Sequence, residues 1–145
     1  MAITTNAICN TFKKELLEAK HNFSNPGGNT FKLAMYTNSA TLGKSTTSFT
    51  TGNEVSSPSG YSSGGKALVN TGTSLATNTA ITDFADLSFV GVTLTARGAL
   101  IYNDSATGDP GVAVLDFRGN KTATSGTFTI QFPAFTTSAA ILRIA

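Results

Sequence analysis

The chain has 145 residues with one cysteine, no tryptophan and ten phenylalanines; 40% of the residues are hydrophobic and only 12% are charged. That length supports one domain, spanning 1–145, with a phenylalanine-rich core and no need of disulfide staples. Ten basic against eight acidic residues leave a formal charge of +2, too small and too scattered for a footprint on nucleic acid or a membrane surface.

The first predicted element is a helix over 5–20, "TNAICNTFKKELLEAK". Ile8, Phe12, Leu16 and Ala19 recur at three- and four-residue steps, Lys13, Lys14, Glu15 and Glu18 fill the opposite face, and Thr5 or Asn6 would cap it. The opening residues put their charges after the apolar positions and lack the apolar run of a signal peptide, so folding in a cytosol is expected. No stretch approaches the length of a membrane span. Cys9 has no partner for an internal disulfide and reads as a buried thiol; His21, about three helical turns away, is poorly placed to activate it.

"SNPGG", 24–28, breaks the chain, and from Thr30 the apolar period becomes two. "TFKLAMYT" (30–37) and the short "KALVN" (66–70) read as strands. "DLSFVGVTLTARGALIYND" (86–104) reads as two strands or one bent one, and "GVAVLDF" (111–117), "GTFTIQFP" (126–133) and "AAILRI" (139–144) complete the set. Turn-rich stretches separate them at 38–65, 71–80 and 105–111. The pattern predicts six to eight mainly antiparallel strands in two sheets, a β-sandwich or jelly-roll-like domain with one N-terminal helix. Phe31, Leu33, Leu87, Phe89, Leu100, Val112, Val114, Phe128, Ile130, Phe132 and Leu142 form the expected core. The 38–65 connection is too long for a hairpin loop, and is expected to form an arm with a brief strand near Asn53–Val55.

Chemistry is sparse. "NDSATGDP" (103–110) offers Asn103, Asp104 and Asp109 but not the spacing of a calcium loop, and reads as a hairpin turn. Asp83, Asp86, Asp104, Asp109 and Asp116 are spread over several segments with no periodicity that pairs them for acid–base work. "SPSGYSSGGK" (57–66) has glycines and a lysine without the order of a phosphate-binding loop. Tyr36, Tyr61 and Tyr102 lack the interleaved basic residues of a stacking platform, and Arg97, Arg118 and Arg143 more simply bind neighbouring carboxylates or carbonyls. No catalytic, cofactor or metal residues are assigned, and the expectation is a protein that is not an enzyme.

Several stretches in order along the chain, "HNF…NTFKLAMYTNSATLG" (21–43), "NEV…GYSSGGKAL" (53–68), "FADLSF" (84–89), "TARGALIYN" (95–103), "AVLDFRGNKT…GTFTIQFP" (113–133) and the closing "AILRIA", resemble small virion proteins of tailed bacteriophages, above all capsid decoration, or cement, proteins. The resemblance implies a β-sandwich or jelly roll that binds the outside of an assembled icosahedral head in many copies. Its partners would be the major capsid protein and neighbouring copies of itself, with no nucleic acid and no membrane. It would be made in the bacterial cytoplasm and reside on the capsid exterior. A tail, neck or fibre component, binding a host surface or a glycan, is the alternative. On the decoration reading the arm supplies Leu42, Phe49, Val55 and Tyr61, and the helix Lys13 and Lys14, as contact residues.

Overall fold

The structure, a computed structural model, describes residues 2–145. It is built from β1 (Ala7–Ile8), α1 (Asn10–Leu17), β2 (Phe31–Tyr36), β3 (Lys66–Ala67), β4 (Asn70–Ala76), β5 (Thr79–Phe84), β6 (Leu87–Asn103), β7 (Gly111–Ile130) and β8 (Leu142–Ile144). Five strands form one sheet in the order β1-β7-β6-β2-β3, and three form a second, β4-β5-β8. Every pairing is antiparallel, so the molecule is mainly β with a single short helix, as the change of period at "SNPGG" predicts.

The helix is shorter than predicted, at both ends for physical reasons. Ala7 and Ile8 pair with Val114 and Ala113 instead of coiling, and the Cys9 amide continues that ladder to the Val112 carbonyl at 3.0 Å. Asn6 caps nothing; its Oδ1 accepts the Asp116 amide at 2.7 Å. At the other end Ala19 adopts φ 58°, with Lys20 N–H bonded to the Glu15 carbonyl and Ala19 N–H to that of Leu16. This pair of bonds is a Schellman closure, which satisfies the last carbonyls and stops the helix.

β6 and β7 make one long twisted ribbon closed by the 104–110 turn. Along the first part of β6 the buried positions are Leu87 and Phe89, then Val92, Leu94 and Ala96, and from Gly98 to Asn103 every residue is buried. The phase slips by one residue where an extra residue opposes β7 between Phe89 and Val92, leaving Val90 exposed. A bulge at that point keeps the apolar side chains on the core face although the parity has changed. In β7 a larger bulge lies between Asp116 and Lys121, and Arg118 there has φ 61°. The strands expected at 111–117 and 126–133 are thus one strand, continuous through this irregular stretch.

Aromatic rings tie the two sheets and the helix together. Phe23 stacks on Phe31 of β2 at 4.3 Å between ring centroids, Phe12 of α1 meets Phe23 at 6.0 Å, and Phe84 of β5 meets Phe31 at 6.0 Å. All the expected core residues are buried except Phe132. β7 ends at Ile130, so Phe132 is only half-buried, packed on Phe84 at 5.7 Å.

The turn-rich 71–80 stretch is instead the β4–β5 hairpin, its two-residue loop holding Thr77 at φ 55°. The 38–65 segment is no free arm, because it is fastened to the body along its length. Thr37 N–H bonds the Asn53 carbonyl and Val55 N–H the Met35 carbonyl, making an isolated bridge at Tyr36–Glu54 where a brief strand is expected. Phe49 N–H reaches Asp109, and the Ser59 hydroxyl reaches the Gly91 carbonyl at the β6 bulge. The glycines of "GYSSGG" serve this close approach: a Cβ on Gly65 would stand 1.8 Å from the Leu33 carbonyl oxygen, and one on Gly60 2.2 Å from that of Val90.

Candidate interaction surface

Val55 and Tyr61, expected to meet a partner, are buried in the chain's own core. Phe49 is half-buried with its ring stacked on Tyr102 at 4.7 Å between centroids, and Leu42 is half-buried against the same core. The reason is a polar clamp under the segment. Tyr61 Oη donates to Glu54 Oε2 at 2.7 Å and accepts the Met35 amide at 2.9 Å, while Ser63 and the Gly64 amide also donate to Glu54. Burial, the dominant effect, pushes the Tyr36 hydroxyl up to about 12 and raises those of Tyr61 and Tyr102. Leu42, Phe49, Val55 and Tyr61 are thus scattered under one structural element rather than gathered into a contact patch. Lys13 and Lys14 are exposed on α1; Lys14 pairs with Glu18 at 2.5 Å.

The titratable groups are likewise engaged in structure. Burial pushes the Cys9 thiol up to about 11, far from thiolate reactivity. His21 is enclosed between Glu15 and Asn103. Asn103 Oδ1 accepts the Ser105 amide, so its Nδ2 faces His21 Nδ1 at 3.0 Å, and the imidazole's Nε2–H points to Glu15 Oε1 at 3.0 Å. Asp116 binds Arg97 and the Arg118 amide, Asp104 lies 3.4 Å from Lys32, and Asp86 accepts the Phe132 amide. Asp83 is buried with Oδ1 on the Phe84 amide; burial raises its carboxyl above the usual range. Among the described residues, no cluster of three His, Cys, Asp or Glu is arranged to hold a metal ion. No helix among them is long and apolar enough to cross a membrane.

What stands out is an apolar groove of about 460 Å³ between α1 and the three-stranded sheet, with Ile8, Leu16, Leu17, Ile81 and Ile144 among its walls and Phe12 and Phe23 beneath. The register explains it. Thr73, Thr82 and Leu142 form one cross-strand row, and Leu75, Ala80 and Ile144 form the next on the same face. Leu17 is 91% exposed, Leu75 71%, Ile144 63% and Ile8 39%. Isolated exposed apolar residues are ordinary, but a contiguous set around a groove marks a contact surface. The sequence does not reveal it, because the turn-rich 71–80 stretch hides the face that Leu75, Ala80 and Ile144 share.

A second concavity, about 770 Å³, follows the bent β7 ribbon. It is more polar, lined by Thr122, Thr127, Thr129 and Gln131 with Phe117 and Phe132 at its walls. No family model matches the chain, and no curated protein or solved structure matches it.

Proposed function

We propose that this chain is a structural protein of a tailed-bacteriophage virion that binds the outer surface of the assembled capsid and stabilises the head. The reading rests on the ordered resemblance of its strand and turn segments to virion decoration proteins. The structural observation that supports it most directly is the uncovered groove around Leu17 and Ile144, a surface suited to protein contact. A ligand that binds the assembled shell but not its dissociated parts stabilises the shell by mass action, by about 4 kcal/mol per site at a thousandfold excess over the dissociation constant. Many copies multiply that effect, and contacts between neighbours raise the effective concentration of each.

The polar β7 trough favours a second reading, a tail or fibre component that holds a glycan against Phe117 and Phe132 with the surrounding hydroxyls. Copy number per virion, measured by quantitative mass spectrometry of purified particles, separates the two. Hundreds of copies support the decoration reading; a dozen or fewer support the tail.

A further inference from the structure

We infer that the groove between α1 and β8 receives an extended, acidic-apolar segment of another protein, which adds to the free edge of β8, seats apolar side chains between Leu17 and Ile144, and sets a carboxylate beside Lys13. The edge is available because β8 is the terminal strand of its sheet, and β1, whose Ile8 also lines the groove, is the terminal strand of the other. The opening therefore lies between two sheet edges, where a guest strand can satisfy unpaired backbone groups while burying its side chains.

Charge selects the guest. The groove's only charged lining residues are Lys13 and Arg143, and no acidic residue lines it. The Lys13 side chain has no hydrogen bond or ion pair among the described residues, and the Arg143 side chain, on the other face of β8 from Leu142 and Ile144, donates only to the Thr137 carbonyl at 3.2 Å. Two copies pairing through β8 would bring both sets of cations together, and like charges at such a contact are repulsive. A guest with carboxylates flanking its apolar positions gains where a second copy loses. The inference rests on the decoration reading only for which protein supplies the segment, a capsid subunit.

The test titrates the ¹⁵N-labelled chain with two capped hexapeptides, one alternating valine with aspartate and one alternating valine with lysine. The aspartate peptide should shift amides of residues 8–17 and 142–144, bind at least tenfold more tightly than the lysine peptide, and weaken at least tenfold with Leu17→Glu or Ile144→Glu. Both side chains are largely exposed, so unchanged melting temperatures would show these variants to be folded. Equal binding of the two peptides, no shifts at millimolar peptide, or shifts elsewhere would overturn the inference. So would a wild-type dimer in sedimentation that Leu17→Glu dissolves, since the occupant would then be a second copy. In parallel, undecorated capsids that retain wild type but not Leu17→Glu would support a capsid guest, and capsids that retain both equally would overturn the groove's role. Peptide binding at the groove without capsid binding would leave the inference standing and remove the decoration reading.

Discussion

Tyr61 and Glu54 are joined by a 2.7 Å hydrogen bond beneath the 38–65 segment, and through it the segment is held to β2. The same hydroxyl accepts the Met35 amide. Tyr61→Phe leaves that buried N–H and a Glu54 oxygen short of a partner, which should cost about 1–3 kcal/mol in urea unfolding. A loss below a few tenths of a kcal/mol would mean that the clamp does not hold the segment.

Two residues occupy left-handed backbone that disfavours their side chains: Ala19 at the Schellman closure, φ 58°, and Thr77 in the β4–β5 loop, φ 55°. Glycine relieves that strain, more so at the β-branched site. Ala19→Gly and Thr77→Gly are each expected to stabilise the protein by about 1 kcal/mol, read as a rise in melting temperature. A fall at either site would contradict the assigned turn.

Burial orders the effects of core truncation. Phe128 is buried on β7 and should cost about 3–5 kcal/mol when replaced by alanine, whereas half-buried Phe132 should cost clearly less. On the opposite face Thr129 is exposed and only shares a hydrogen bond with Ser88. Thr129→Lys should therefore change stability by a few tenths of a kcal/mol. Denaturant titration of the three variants checks the ranking.

Acid should destabilise the fold through two carboxylates. The Arg97 guanidinium, with the Arg118 amide, holds Asp116 below its ordinary value. For Glu15 burial acts upward, but bonds from His21 and Lys20 outweigh it and the net shift is down. A depressed folded value adds stability that is present above the unfolded values, about 3.9 for Asp and 4.3 for Glu, and lost as pH falls through the folded ones. Asp116→Asn should flatten that acid limb. Asp83 has the opposite sign: its raised folded value imposes a penalty that grows as pH rises from the unfolded value through the folded one. Asp83→Asn should thus gain relative to wild type as pH rises above about 4, as measured by melting temperature.

The strands with strong apolar alternation were legible in the sequence: Phe31, Leu33 and Met35, Leu87 with Phe89, and Phe128 with Ile130 are buried where period two puts them, whereas Ala34 and Tyr36 on the other face of β2 are buried as well and the phase of β6 shifts at its bulge. The β4–β5 hairpin was not, because it is mostly threonine, serine and alanine and offers no alternation of polarity. Nor was the fate of Phe49, Val55 and Tyr61. They are separated by glycines, serines and threonines with no regular period, and their burial depends on Glu54 and Met35, partners that only the fold brings near. The groove combines both failures, since one part of its lining belongs to that hairpin and another to a helix whose end is set by Ala19.

Co-sedimentation of the purified protein with undecorated capsids tests the proposed attachment to the assembled head. The protein should pellet with capsids, saturate at hundreds of copies per particle, and raise the temperature at which the shells come apart. Wild-type protein that stays in the supernatant at saturating concentration, with shells no more stable than before, would contradict it.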